Sequence, residues 1–306
     1  MDDAGIMVGM SLTNRKLHRI IIGLVLLAML ITACTDNNPT EEIAVTATPT
    51  STPSGPTPTT VPAAAVVNGE VVPLAWYQSE LQRYLAAQEV AGTPVTDQAA
   101  AGETVLNELV DQFLLAQGAQ EAGLTVSDEA VQGRIDTLAA EVDLGAWMAQ
   151  WGYTDGDLFN MLRLQLLAAL QRDQIAATIP ESMEQVEIRQ VFAYTEAGAH
   201  TAKVSLDSGS DFEELAYTYD PTAGGYLGWV PRGYLLIPAV EEAAFALPVG
   251  SYSDIIVSDV GYHIVMVLDK GEHPLSSDAR LTLQRNAVAT WLADRLVNSA
   301  IEIMVD

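Results

Sequence analysis

The spacing of apolar residues changes once along this chain, near residue 185, and that change limits the folds it can adopt. Between Leu74 and about Ala177 the apolar residues recur every three or four positions, which predicts amphipathic helices. From Val186 the segment VEIRQVFA alternates instead, and strand and helix patterns then interleave over about 85 residues, as in compact α+β domains. We therefore expect an α+β protein in which an all-helical domain at residues 64–180 precedes or encloses a mixed domain at residues 185–271.

Several boundaries within the helical domain can be read from single residues. The pair Asn68-Gly69 lies between two apolar β-branched pairs, which predicts a short hairpin across residues 65–72. Ser127, which two acidic residues follow, is typical of a helix N-cap, and Thr154 with Asp157 is typical of a capping arrangement. These signals predict where two of the helices begin.

The last segment, residues 275–306, predicts a helix followed by a short strand. Trp291 and Leu292 lie on the apolar face of this helix and have no apolar partner within their own segment. We therefore expect the helix to pack back on the helical domain, and residues 301–305 to pair with residues 65–72.

The N-terminus has the pattern of an exported lipoprotein. Basic residues at positions 15–19 precede an apolar run of 12 residues, Ile20–Ile31, which is shorter than the ~20 residues of a transmembrane helix but fits a secretory signal. The sequence Ile31-Thr32-Ala33-Cys34 resembles a bacterial lipobox, in which the cysteine is lipidated and becomes the first residue of the mature protein. We expect residues 1–33 to be a lipoprotein signal peptide and Cys34 to be the lipidation site.

The segment after the cysteine, residues 34–63, is rich in Thr, Pro and Ser and contains few large apolar residues. Such a composition cannot bury enough surface to fold. We expect a semi-extended tether that holds an exported, lipid-anchored protein at the outer face of the cell membrane.

The charge balance and the single cysteine exclude several functions. The chain has 40 acidic and 14 basic residues and a net charge of −26. Nucleic-acid binding needs a basic surface, which this balance does not provide. One cysteine cannot form an internal disulfide, and the four histidines, at positions 18, 200, 263 and 273, lack the spacing of a zinc site. We expect no metal, no cofactor and no nucleic-acid partner.

An ordered series of short motifs lies between residues 211 and 263. It reads G-G-Y-L-G-W, then R-G, a proline before E-E-A-A-F-A-L, V-G-S-Y-S and finally G-Y-H-I. In this order and spacing the series resembles the parvulin family of peptidyl-prolyl cis/trans isomerases, and the resemblance covers residues 186–270. The flanking regions are similar to exported foldase lipoproteins of that family, in which a helical chaperone domain precedes the parvulin domain.

The resemblance implies isomerisation of X-Pro bonds and assistance in the folding of exported, proline-containing polypeptides outside the cytoplasmic membrane. Rotation about a peptide bond has a barrier of about 18–20 kcal/mol, because amide resonance is lost in the twisted form. Since no bond breaks, a catalyst needs only to bind the twisted imide more tightly than the planar forms. An apolar cup for the proline ring would do this without a metal or a cofactor.

The resemblance also implies which residues form the site. The apolar cup would consist of Leu227, Leu236, Val240 and Phe245. The polar, catalytic group would consist of His263, Ser258 beside it, Asp220 where family members carry Cys or Asp, and Gln190. Gln190 stands where the family has the first of two histidines. Because glutamine cannot titrate, the paired-histidine network cannot form here in its usual way.

Other interpretations of the same residues stay open at this point. His263 could be a core histidine with satisfied hydrogen bonds, and the four apolar residues could be ordinary core residues. Asp220 followed by Pro221 indicates by itself only a turn. For the whole protein, the alternatives are a catalytically degenerate holdase that binds extended polypeptides, and a ligand-binding surface lipoprotein.

Overall fold

The structure, a computed structural model, describes residues 61–305. The expected signal peptide, the lipidation site Cys34 and the tether up to residue 60 lie outside the described residues. Within the described range, the helices are all too short or too polar to cross a bilayer.

The described chain forms two compact units. The first unit contains the residues up to Phe113, the segment Ser127–Arg163 and the chain end from Ala300. The second unit contains Leu114–Val126 and Leu164–Ser299. Each unit therefore combines segments that are distant in the sequence.

A three-stranded antiparallel sheet in the first unit pairs the chain end with its first described strand. The strands are β1 (Ala63–Val67), β2 (Glu70–Pro73) and β7 (Ile301–Ile303), in the order β2-β1-β7. Asn68 and Gly69 form the turn between β1 and β2 with φ of 51° and 87°, as a tight two-residue hairpin requires. Val67 pairs with Ile301 in β7. The hairpin and the pairing of the chain end with it are both confirmed.

Five helices follow the hairpin. They are α1 (Leu74–Val90), α2 (Gln98–Glu121), α3 (Asp128–Glu141), α4 (Leu144–Trp151) and α5 (Asp155–Ala176). Residues of α2 and of α5 are divided between the two units. The predicted N-terminal caps are confirmed, because the Ser127 hydroxyl accepts a hydrogen bond from the Ala130 N–H and the Thr154 hydroxyl accepts one from the Asp157 N–H.

The second unit contains a four-stranded antiparallel sheet. Its strands are β3 (Ser182–Ala193), β4 (Tyr226–Pro231), β5 (Ile256–Ser258) and β6 (Gly261–Pro274), in the order β4-β3-β6-β5. Taken alone, the sequence here favours a turn, because Gly224 and Gly225 precede β4 and Gly228 lies within it. Pairing with β3 from Gln185 to Arg189 nevertheless makes this segment a strand, so the partner strand overrides the local preference.

Helices cover both faces of this sheet. They are α6 (Glu196–Asp207), α7 (Phe212–Tyr219) and α8 (Pro238–Ala246). On one face, α8 buries Val240 and Ala244 against Ile188 and Val265 of the central strands. The other face is covered by α6 and α7, and this core includes Val191, Ala202, Leu206, Phe212, Ala216 and Ile264.

The last helix, α9 (Ser277–Val297), belongs to the same unit as the four-stranded sheet. Trp291 and Leu292 pack against a cluster that contains Leu115 of α2 and Ala168 of α5. The contact is close, since a Cβ added to Gly118 would lie 2.7 Å from the Trp291 ring. The expected packing of α9 on preceding helices is therefore confirmed, and the helix shares its unit with the sheet as well.

Candidate active site

His263 lies on the central strand β6, between its partners Phe192 of β3 and Ile256 of β5. Its side chain is buried, with 3% of the residue exposed. Nδ1 of the imidazole is 3.1 Å from Oε1 of Gln190, and Nε2 is 2.9 Å from the Ser258 hydroxyl. The fold thus joins three of the four polar residues that the resemblance implied.

Two proton arrangements satisfy both ring nitrogens. In the first, Nδ1–H donates to Gln190 Oε1, and the Ser258 hydroxyl donates to Nε2. In the second, Nε2–H donates to Ser258, whose hydroxyl donates to the carbonyl oxygen of Gly261, 3.0 Å away, and the Gln190 amide turns its NH₂ group towards Nδ1. Gln190 can partner either tautomer because its amide carries both a donor and an acceptor.

Burial determines the charge of this histidine. Removal from solvent lowers the pKa of His263 below its ordinary value of 6.5, because the charged imidazolium loses hydration. The ring is therefore neutral at neutral pH. The imidazole is thus a neutral group of fixed orientation, buried within the sheet and hydrogen-bonded at both nitrogens.

The backbone of Gln190 lies directly against a glycine turn. The Gln190 N–H donates to the Gly225 carbonyl oxygen at 2.8 Å. A Cβ added to Gly225 would lie 1.8 Å from the Gln190 carbonyl oxygen, and Gly225 has a φ of +65°. Only glycine fits both the conformation and the close approach. The second glycine of the G-G motif, Gly225, therefore allows the turn to pack against the backbone of Gln190, the β3 residue that contacts His263.

Asp220 holds the same turn. Its carboxylate accepts hydrogen bonds from the N–H groups of Thr222, Ala223 and Gly225, at 3.0–3.1 Å. The hydrogen bonds from Ala223 and Gly225 keep the pKa of Asp220 below its ordinary value. We interpret Asp220 as a positioning residue for the turn under Gln190, because its oxygens are occupied by backbone groups.

The four residues proposed for the proline cup separate into two kinds. Val240 is 3% exposed and Phe245 packs against the same core cluster, where the guanidinium of Arg232 lies 3.9 Å above the Phe245 ring. Leu227 and Leu236 are 39% and 97% exposed. The structure therefore places Val240 and Phe245 in or against the core, whereas the Leu236 side chain points to solvent, so the four residues do not form a closed cup in the unbound protein. Any contact of Leu236 with a proline forms only when a chain binds.

Phe192 was missed by the sequence analysis. Its ring centroid lies 5.0 Å from that of His263 and 4.8 Å from that of Tyr194, which is 84% exposed. Phe192 follows Gln190 by two positions on β3, and alternate residues of a strand share a face. This spacing was the signal that could have identified it. Phe192 and His263 therefore place two adjacent aromatic rings on this face of the sheet.

The carboxylate of Glu241 fixes the backbone of the loop between β4 and α8 by hydrogen bonds. Glu241 of α8 accepts hydrogen bonds from the N–H groups of Gly233, Tyr234 and Leu235, at 2.9–3.2 Å. Leu235 also packs against the core cluster that contains Val240. The loop that carries Leu236 is thus fixed at its backbone while the Leu236 side chain stays free.

A SurA-like N-terminal domain matches residues 13–160, and a PPIC-type PPIase domain, the rotamase family, matches residues 169–269. The foldase protein PrsA of Geobacillus kaustophilus is 30% identical over 220 residues, which are 65% of this chain and 76% of that protein. The chain belongs to the PrsA foldase family.

Other members and a solved structure are similar at comparable levels. PrsA of Halalkalibacterium halodurans is 27% identical over 237 residues, which are 67% of this chain and 70% of that protein. The crystal structure of the peptidylprolyl isomerase PrsA from Bacillus anthracis is 23% identical, covers 62% of this chain and 90% of its own, and has a TM-score of 0.42.

Family membership confirms the α+β fold with a helical N-terminal domain followed by a parvulin domain, and the classification as a peptidylprolyl isomerase. It favours the foldase interpretation over that of a ligand-binding surface lipoprotein. All eight residues proposed for the parvulin-type site, from Gln190 to His263, lie within the PPIC-type match. Their individual roles are proposals.

Proposed function

We propose that this PrsA-family protein speeds the folding of exported polypeptides by isomerising X-Pro bonds on the sheet face around His263. The observation that carries the proposal is the buried, neutral imidazole bound at both nitrogens, by Gln190 and by Ser258, within the PPIC-type domain. The family membership supports the same activity for the chain as a whole.

Isomerisation of an X-Pro bond breaks no covalent bond, so the site needs only to bind the twisted imide more tightly than the planar forms. The X-Pro imide must twist, and its carbonyl oxygen loses charge as resonance is lost. A surface that buries the proline ring and offers no strong charge to the planar carbonyl favours the twisted form. Phe192, Phe245 and Leu227 provide apolar contact, and His263 provides a neutral polar group of fixed orientation. No proton transfer to the substrate is required.

Glutamine in the place of a first histidine is compatible with this mechanism. Gln190 supplies a hydrogen bond to Nδ1 of His263 without adding a second group that titrates. The role of the pair is therefore to hold the imidazole neutral and oriented. Replacing Gln190 by Leu should abolish this role, whereas Gln190→His should preserve it and, if a paired network improves orientation, raise the rate.

The proposal can be tested by proline-limited refolding of a denatured protein together with its aggregation. We expect the wild type to accelerate the slow refolding phase and Gln190→Leu to lose most of that acceleration, while suppression of aggregation is unchanged. Acceleration that is the same in wild type and in both Gln190 variants would mean that the site lies elsewhere.

A second candidate function, that of a holdase without catalysis, is favoured by one observation in the first unit. The helix α4 has the apolar sequence LGAWMAQW, and none of its residues is buried. Trp147 and Met148 are half-buried, and the Trp147 ring already stacks on Tyr153 with the Arg83 guanidinium 5.0 Å from its centroid, so the exposed remainder of α4 would make the contacts with extended apolar chains. Suppression of aggregation by a wild-type protein that leaves the slow refolding phase unchanged would select this function.

We further propose that the protein is anchored to the outer face of the cell membrane through lipidated Cys34, with residues 34–63 as its tether. The n-region, the apolar run and the order Ile-Thr-Ala-Cys support this. Mass spectrometry of the mature protein should find Cys34 at the N-terminus with acyl groups attached. Residues before Cys34, or an unmodified thiol, would contradict it.

A further inference from the structure

The last helix contacts the loop that carries Leu236. Nδ2 of Asn286 donates to the Gly233 carbonyl oxygen at 2.9 Å, and the Tyr234 hydroxyl donates to Oδ2 of Asp278 at 2.6 Å. Between these two contacts, a Cβ added to Gly233 would lie 3.2 Å from Cδ2 of Leu283, which is itself buried. The loop therefore lies on one face of α9, from its first turn to its middle.

The same loop is held from its other side by α8. Glu241 accepts hydrogen bonds from three consecutive N–H groups, those of Gly233, Tyr234 and Leu235. The Gly233 carbonyl and the Tyr234 hydroxyl are engaged by α9. Polar groups on both sides of the loop are satisfied, although Leu236, the next residue along, is 97% exposed. The backbone of residues 233–235 is thus held from both sides, and Leu236 follows it directly with an exposed, unpacked side chain.

The helix α9 is itself anchored beyond the loop. Its second half packs Trp291 and Leu292 against Leu115 and Ala168. The PPIC-type match ends at residue 269, so α9 lies outside it. The support of the loop thus comes from a part of the chain that the isomerase domain itself does not include.

We propose that α9 is part of the isomerase site: Asn286 and Asp278 are positioning residues that hold the Gly233–Leu235 loop so that Leu236 meets the proline-containing chain in a fixed place. The proposal rests on the proposed function. Its physical basis is preorganisation, since a loop already ordered loses less conformational entropy when a peptide binds. The substrate contact itself is made by Leu236, whereas Asn286 and Asp278 act through the loop.

The test uses the full protein and an X-Pro peptide, with the peptide dissociation constant measured by NMR titration and the catalysed rate by NMR exchange. We expect Asn286→Leu and Tyr234→Phe each to weaken peptide binding about threefold to tenfold, as the loss of one hydrogen bond in the ordered loop implies. The exchange rate at saturating peptide should change little. Amide hydrogen exchange at residues 233–235 should accelerate, which general destabilisation of the sheet would not do selectively.

Matched controls are available in the same unit. Asn298→Leu removes an asparagine at the end of α9 that donates to the Asp294 carbonyl, and Tyr252→Phe removes a hydroxyl that donates to Asp207. Both should leave binding and loop exchange at wild-type values. Asn286→Gln, which keeps a donor, should restore part of the affinity. Leu236→Ala should weaken binding without lowering the melting temperature, because its side chain is not packed.

The outcomes separate this inference from the function on which it rests. If the wild type catalyses exchange but Asn286→Leu and Tyr234→Phe bind peptide normally and show unchanged loop exchange, α9 is not part of the site. If the wild type binds the peptide without catalysing exchange, the proposed function fails, and the binding and loop-exchange data still decide whether α9 positions the loop. A wild type that does not bind the peptide overturns both.

Discussion

At the scale of single residues, the site depends on one buried histidine whose two nitrogens both have partners. Sequence reasoning identified His263, Gln190 and Ser258 through the order of motifs, and the fold joins them by hydrogen bonds. It did not identify Phe192, nor the exposure of Leu236. The alternation of β3 places Phe192 on the face of Gln190, but Phe192 is not part of the motif series that selected the site. The exposure of Leu236 depends on how its loop is held, which motif order does not specify.

The neutral state of His263 leads to a prediction about pH. Its pKa is lowered in the folded protein, so between pH 6.5 and that lower value the unfolded chain binds a proton that the folded protein does not. This contribution to stability is complete above pH 6.5 and is lost as the pH falls through that window. The melting temperature of wild type should therefore fall more steeply from pH 7.5 to 5.5 than that of His263→Gln. Parallel curves would contradict the buried, neutral assignment.

At the scale of elements, helix ends and the first hairpin could be predicted because the responsible residues are adjacent in sequence. Ser127, Thr154 and the pair Asn68-Gly69 act on N–H groups or dihedral angles within three residues of themselves. Strand β4 could not be predicted, because Gly224, Gly225 and Gly228 favour a turn and the segment becomes a strand only by pairing with β3. The close approach of Gly225 to Gln190 is a consequence of that pairing.

Two glycine variants test the contact between the turn and β3. In Gly225→Ala, the new Cβ would lie 1.8 Å from the Gln190 carbonyl oxygen, so β3 or the turn must shift. We expect a loss of more than about 2 kcal/mol of unfolding free energy, beyond the ~1–2 kcal/mol of left-handed strain alone, and a loss of catalysis. Gly209→Ala is the control: its φ is +95°, and a Cβ there meets no atom of the described residues within 4 Å. Equal losses in chemical denaturation would contradict a specific role for Gly225.

At the scale of the whole molecule, the sequence correctly indicated that residues 301–303 pair with the first hairpin of the described range, through β7 and β1. The sequence did not indicate to which of the two units α9 belongs. Its apolar face indicated a partner, but Leu115 and Ala168 are distant from α9 in sequence, so only the fold identifies them as its partners. The helix follows β6 directly in the chain and shares a unit with the four-stranded sheet.

The anchoring of α9 can be tested with Trp291→Ala. The ring fills the space over Gly118 and packs in the cluster with Leu115 and Ala168. Because Trp291 is only partly buried, we expect a loss near the lower end of the ~3–5 kcal/mol seen for buried tryptophans, with faster amide exchange along α9. Trp147→Ala in α4 of the first unit should leave exchange in α9 unchanged. Unchanged exchange in Trp291→Ala would show that α9 is held by other contacts.

The central claim is that the His263 face of the parvulin domain catalyses X-Pro isomerisation. The most direct measurement is NMR exchange spectroscopy of an X-Pro peptide with a small amount of the purified protein, compared with peptide alone, whose exchange takes tens of seconds or longer. We expect cis/trans cross-peaks to grow faster with the wild type, and this gain to fall strongly in His263→Ala. Exchange with the wild type no faster than that of the peptide alone would contradict the claim.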